Sequence, residues 1–277
     1  MLQTEWDILQ DYESKARALS PDFVRSLPWH EISRHPLKSE FIPILRYMRD
    51  IEAFTEIYFE ELGLTPTGRN PAIRRFMERW RSEEAQHGEL LHRFLGEAGA
   101  AAESDWFAAA KGRVPRRYRL ESRINGWITR LFGKNFSATH MVWGAINELL
   151  TLQGYRRLAQ ISGHPVLETL LRGIMQEEAI HISFYYNVAE LELRKSKLGR
   201  VLARFLIRHF WAPVGTGLKP KVETDRVAAA LFGGPEGRQV LEKQVNPRVE
   251  KLPGFQGVKT VIERLDLACR LGAYSPL

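Results

Sequence analysis

Two short stretches, Glu84-Ala85-Gln86-His87 and Glu178-Ala179-Ile180-His181, place a carboxylate and an imidazole three residues apart. On an α-helix, positions i and i+3 share a face, so each stretch offers both side chains to one point. Neither pair belongs to a solvated face. The first lies on the apolar stripe Ile73, Phe76, Trp80, Glu84, His87, Leu91, Leu95, and the second on Leu167, Leu171, Ile174, Glu178, His181, Tyr185, Val188. Each follows another helical segment with a glutamate among its apolar positions, Glu52 and Glu148. Six ionisable groups in one core would be very costly without a compensating cation.

The same residues expose an internal repeat. Glu84 and Glu178 are 94 residues apart, and Glu52 and Glu148 are 96 apart. The chain therefore reads as two copies of a helix pair. The first pair is expected from Pro36 to about Gly63 and from Asn70-Pro71, a cap followed by proline at the first helical position, to about Gly96. The second is expected from about Ser137 to Ser162 and, after the turn Gly163-His164-Pro165, to about Lys195. A short turn joins the helices of each pair, and the Ala-, Gly- and Arg-rich segment 97–135 joins the pairs. The expected fold class is all-α: a ferritin-like four-helix bundle with one long crossover, plus additional N- and C-terminal helices. Residues 1–37 form an N-terminal helical extension whose first helix runs from about Thr4 to Leu19. Residues 38–195 form the bundle, and 196–277 a helical elaboration packed on it.

Two Glu-x-x-His helices facing each other supply one histidine to each of two ions. A glutamate from each remaining helix completes a mixed oxygen and nitrogen shell that suits iron or manganese. The expected metal ligands are Glu52, Glu84, His87, Glu148, Glu178 and His181, with Glu84 and Glu178 bridging. Glu56, one turn beyond Glu52, is the rival to it. The repeat favours Glu52, because Glu52 and Thr55 then match Glu148 and Thr151. Metal-bound histidines usually donate their other N–H to a carboxylate. Glu83 is the candidate partner of His181, and Glu177 that of His87. The cofactor expected is two Fe ions per chain, with a mixed Mn/Fe pair as the variant.

Composition narrows the setting. The 277 residues carry a formal charge of +7, so an acidic carrier protein or an anionic lipid surface is a plausible partner. Nucleic acid is not expected, because aromatics do not interleave with the basic runs. Candidate docking clusters are Arg113, Arg116, Arg117, Arg119 and Arg123, and then the stretch from Lys195 to Arg208. A single cysteine, Cys269, excludes a disulfide framework or an iron–sulfur cluster. Without a signal pattern or a spanning segment, a cytoplasmic setting is expected.

At the clustered residues the sequence resembles the soluble acyl-carrier-protein desaturases. Trp80-Arg-Ser-Glu-Glu-Ala-Gln-His-Gly-Glu-Leu-Leu91 is similar to that family's W-x-x-E-E-N-R-H-G-D-L-L. Met175-Gln-Glu-Glu-Ala-Ile-His181, followed by Tyr185, is similar to its D-E-x-R-H followed by tyrosine. Asn147-Glu-Leu-Leu-Thr151 is similar to Q-E-R-A-T, and Ile51-Glu-Ala-Phe-Thr-Glu56 to E-E-A-L-P-T. Ala85, Gln86, Glu177 and Ile180 depart from the pattern, while all six ligand positions keep it. The resemblance covers about residues 38–195. It implies a carrier-bound fatty acyl substrate on an acyl carrier protein, a ferredoxin-type electron donor, O2, a homodimer, and a catalytic role for Thr151 above the oxygen-binding face.

The expected activity is therefore an O2-activating di-iron oxidation that introduces a double bond into an acyl chain. Phe54, Phe59, Met141, Trp143, Leu152 and Tyr185 are candidate pocket residues, with plain core the simpler reading of each. Two other classes remain open: a di-iron hydroxylase or N-oxygenase on another substrate, and a non-catalytic ferritin-like metal-binding protein.

Overall fold

The computed structural model describes residues 4–100, 103–119 and 129–274, and within them the chain is helical, with an isolated bridge between Thr216 and Lys219 as the one β feature. The first helix, α1, spans Glu5–Ser14 and opens on a capping box, in which Thr4 Oγ1 accepts from Asp7 N–H and Asp7 accepts from Thr4 N–H. It stops five residues before the expected Leu19. Arg17 folds back and donates to the carbonyls of Tyr12 (3.1 Å) and Lys15 (2.6 Å), and residues 15–19 leave the helix, with Leu19 buried at their end. Ser20 then caps a short α2, Pro21–Ser26.

The first helix pair is α3, Phe41–Gly63, and α4, Pro71–Glu97. Asn70 Oδ1 caps α4 by accepting from the amides of Ala72 and Ile73, with Pro71 at the first position. Side chains of α3 meet those of α4 in reverse order: Glu56 pairs with Arg81, and Arg49 lies 3.3 Å from His92. The pair is therefore antiparallel. A short α5, Trp106–Gly112, packs on α3. The second pair is α6, Phe136–Ser162, and α7, Pro165–Lys195. Gly163, at φ 62°, takes the left-handed conformation that ends α6, and His164 Nδ1 caps α7 through Leu167 N–H.

Packing joins the pairs. Phe76 of α4 stacks on Phe184 of α7 at 3.7 Å between centroids, and Tyr12 of α1 meets Phe76 edge-on at 4.8 Å. These rings are almost fully buried, in one core that runs through all four long helices.

The remaining chain continues as α8, Lys197–Phe210, then α9, Lys221–Phe232, α10, Gly234–Val240, a π-turn at Leu241–Val245, α11, Asn246–Lys251, and α12, Thr260–Ala273. α8 packs on α6 and α7, α9 on α3 and α6, and α12 on α9. Among the described residues no helix is long and apolar enough to cross a membrane.

Candidate metal centre

Glu52 on α3, Glu84 and His87 on α4, Glu148 on α6, and Glu178 and His181 on α7 meet in the middle of the long helices, each at least nine-tenths buried. They form two groups that share two members. Glu52, Glu84, His87 and Glu178 can each bring one ligand atom within 4.8 Å of the others, and so can Glu84, Glu148, Glu178 and His181.

The atoms sort themselves in the same way. His87 Nδ1 lies 3.2 Å from Glu84 Oε2 and 3.5 Å from Glu178 Oε1. His181 Nδ1 lies 3.0 Å from Glu84 Oε1 and 3.4 Å from Glu178 Oε2. Glu84 and Glu178 thus each turn one oxygen toward each histidine, the disposition of a carboxylate that spans two ions. Glu52 stands on the His87 side and Glu148 on the His181 side.

The outer atoms of the histidines are taken by other carboxylates. His181 Nε2 lies 2.8 Å from Glu83 Oε2, and His87 Nε2 lies 3.2 Å from Glu177 Oε2, the cross-pairing expected from sequence. The N-terminal extension holds these two carboxylates in turn. Tyr12 O–H donates to Glu83 Oε2 at 2.6 Å, Arg17 and Arg79 donate to Glu83 Oε1, and Leu19 N–H donates to Glu177 Oε1 at 2.9 Å. Burial pushes the Glu83 carboxyl up, but His181, Tyr12 and Arg17 outweigh it and hold the group at about 2. Two aromatic donors steady the terminal carboxylates: Trp80 Nε1–H donates to Glu148 Oε1 at 3.0 Å, and Tyr155 O–H donates to Glu52 Oε1. By its spacing Trp80 belongs to an apolar stripe, and Tyr155 shares a helix face with Met141, Glu148 and Leu152. A polar-tipped aromatic one turn (Trp80, before Glu84) or two turns (Tyr155, after Glu148) from a buried acid was the available signal.

Electrostatics test whether a cation fits. Burial, then Glu84 and Glu178, push the Glu52 and Glu148 carboxyls well above the usual carboxylate range. Burial disfavours the charged forms of His87 and His181, yet the surrounding glutamates raise both well above the usual imidazole value. Protons thus supply the positive charge that the cluster lacks by itself. Several inward atoms still have no hydrogen-bond partner: Glu84 Oε1, both Glu178 oxygens and His181 Nδ1. Glu84 Oε1 and His181 Nδ1 are 3.0 Å apart, close enough to be ligand atoms of one ion. Four carboxylates and two imidazoles, each imidazole steadied from behind, suit a pair of divalent iron or manganese ions.

The centre opens on one side. A cavity of about 800 Å³ has Glu52, Glu84 and Glu148 in its wall, together with Thr151, Trp80 and Tyr185. Met141 and Trp143 line it as expected. Phe54, Phe59 and Leu152 do not: Phe54 and Leu152 face other parts of the core, and Phe59 lies beneath the Arg81 guanidinium. Glu56 pairs with Arg81 at 2.9 Å and takes no part in the cluster.

Of the first basic cluster, Arg113 is committed to Glu103 and Asp50, and Arg119 donates to the Lys111 carbonyl. Arg123 lies outside the described residues. No protein-family model, no curated protein and no solved structure matches this chain.

Proposed function

We propose that the protein is a ferritin-like, O2-dependent di-iron oxidase that oxidises an unactivated C–H bond of a long apolar substrate, a fatty acyl chain by the motif resemblance. One observation carries this reading. Two Glu/His ligand groups share Glu84 and Glu178, and three of their members, Glu52, Glu84 and Glu148, stand in the wall of a cavity large enough for a lipid chain. A storage role gives no reason for such a cavity, and that favours an enzyme.

When bound, two iron ions would supply dioxygen reduction and the oxidising power that no side chain possesses. Glu52 and His87 would hold one ion, Glu148 and His181 the other, and Glu84 and Glu178 both. Glu83 and Glu177 fix the two imidazoles so that Nδ1 faces inward. The apolar wall excludes bulk water and places the chain beside Glu52 and Glu148. The Thr151 hydroxyl, in the same wall, is a neutral group able to donate or accept a proton there. In the balanced reaction, adjacent methylenes lose two hydrogens, O2 takes these with two further electrons and two protons, and an alkene and two waters form. The electrons come from an external one-electron donor of the ferredoxin type.

The test is metal content and optical spectrum of the purified protein beside Glu178→Ala. About two irons per chain with an oxo-bridged near-ultraviolet band, both lost in the variant, are the expected result. Protein that refuses ferrous iron under anaerobic reconstitution would sink the reading. Thr151→Val should keep its iron and lose turnover.

A further inference from the structure

Helix α8 is packed the wrong way round for an ordinary surface helix. The side it buries against α6 and α7 carries Gly199, Ala203 and Ile207. Four of its apolar residues stand exposed instead: Leu198 is 62% exposed, Val201 66% and Phe205 51%, with Phe210 at 60% at the end of the helix. Leu198, Val201 and Phe205 follow a three-four spacing, so they form one stripe. Lys197, Arg200, Arg204 and Arg208 follow the same spacing along its edge, and the helix contains no acidic residue. Arg204 is committed to the carbonyls of Gly254 and Gln256, while Lys197 and Arg208 are exposed. An apolar stripe bordered by cations and free of acids is the pattern of a helix lying in a lipid headgroup region.

The position of the stripe gives it a use. Leu206 and Phe210 of α8 line the 800 Å³ cavity, together with Phe132 and Phe136. Phe210 and Phe132 (39% exposed) are at once in the cavity wall and at the surface, which marks the mouth. The exposed stripe and the mouth are continuous along one helix.

We propose that α8 seats the protein on an anionic membrane surface, with the cavity mouth turned toward the acyl region. The docking stands on the helix alone. Its consequence, that the oxidised chain is drawn from the bilayer and not handed over by a soluble carrier, rests on the di-iron reading. A purely acidic protein partner would account for Lys197 and Arg208 but leaves Leu198, Val201 and Phe205 without a role, whereas an anionic lipid surface uses both rows.

The test is flotation of the full chain with vesicles of equimolar phosphatidylcholine and phosphatidylglycerol, beside vesicles of phosphatidylcholine alone. Wild-type protein should float with the anionic vesicles and much less with the neutral ones. Val201→Asp and Phe205→Asp, at exposed positions that leave the core intact, should each reduce the bound fraction about tenfold while keeping the wild-type circular dichroism and iron content. Lys197→Glu with Arg208→Glu should reduce it as well.

Absence of flotation, or a Phe205→Asp protein that floats like wild type, overturns the proposal. So does a dimer in light scattering that Phe205→Asp disperses while vesicles leave it intact, since a second copy would then own the stripe. Tight binding of an acidic carrier protein to α8 with no vesicle binding also overturns it. Protein that floats but takes up no iron keeps the surface proposal and removes the di-iron one.

Discussion

At the residue scale, the centre depends on side chains that orient the candidate ligands without themselves being ligands. Tyr155 and Trp80 each hold one oxygen of a terminal carboxylate. Tyr155→Phe removes its donor and almost no volume, whereas Trp80→Phe removes its donor together with part of a buried ring. Each should weaken ferrous iron binding about tenfold in an anaerobic titration, with an unchanged far-ultraviolet spectrum. A wild-type affinity in both variants would show that the carboxylates are positioned by packing alone. His140, on the cavity wall, is a separate case. Burial depresses its imidazole to about 4 from an ordinary 6.5, and its Nδ1 lies 2.8 Å from the Thr67 hydroxyl. The folded state therefore keeps His140 neutral where the unfolded chain binds a proton. Its contribution to stability is full above pH 6.5 and is lost as the pH falls toward 4. The loss should be about 1–2 kcal/mol after discounting for partial exposure, and His140→Gln should flatten that part of the urea-unfolding profile against pH.

At the scale of elements, two glycines set how closely the helices of each pair approach. A Cβ on Gly88 would stand 2.6 Å from the Trp106 ring and 3.2 Å from Glu52 Cβ, and one on Gly144 would overlap the Tyr185 ring. Gly88 follows His87 directly, so the spacing of α3 and α4 is fixed beside the candidate ligands. Gly88→Ala should cost about 1–3 kcal/mol in urea unfolding, against the small gain alanine brings to a helix, and should weaken iron binding with it. Stabilisation would show that Trp106 moves aside freely. The N-terminal extension also acts at this scale. Tyr12, Arg17 and Leu19 reach Glu83 and Glu177 because α1 stops at Ser14 and the chain turns inward. Had the helix run on to Leu19 as its polarity pattern suggests, the Leu19 amide would be spent within the helix and not on Glu177.

At the scale of the whole molecule, a metal ion held by the buried cluster would couple its binding to folding. Like-charged carboxylates in one core oppose the packing of the helices that carry them, and ions that bind only the folded state reverse the sign of that term. Chelated protein should therefore melt about 5–10 °C below iron-loaded protein, and a scan at graded ferrous iron should move the midpoint continuously. A midpoint independent of iron would mean that the protonated cluster is already as stable as the loaded one. The 800 Å³ cavity belongs to this scale as well. Its wall draws on α3, α4, α6, α7, α8 and the loop at Ala212 to Gly217, and no single element implies it.

The two Glu-x-x-His motifs, their place on apolar stripes and the repeat in their spacing were enough to read the helices, the convergence of six ionisable side chains and the Glu83/His181 and Glu177/His87 pairs. These follow from helical periodicity, a local property that sequence spacing records directly. The register of the repeat marked Glu52 over Glu56, and the structure pairs Glu56 with Arg81. Tyr155 and Trp80 as donors and the inward turn at Lys15 were not legible. Nor was the outward face of α8. Each depends on which partner lies opposite, and an apolar residue has the same periodicity whether it meets a core, a cavity or a lipid surface. The sequence determined which side chains could meet; the packing of distant segments decided what they would touch.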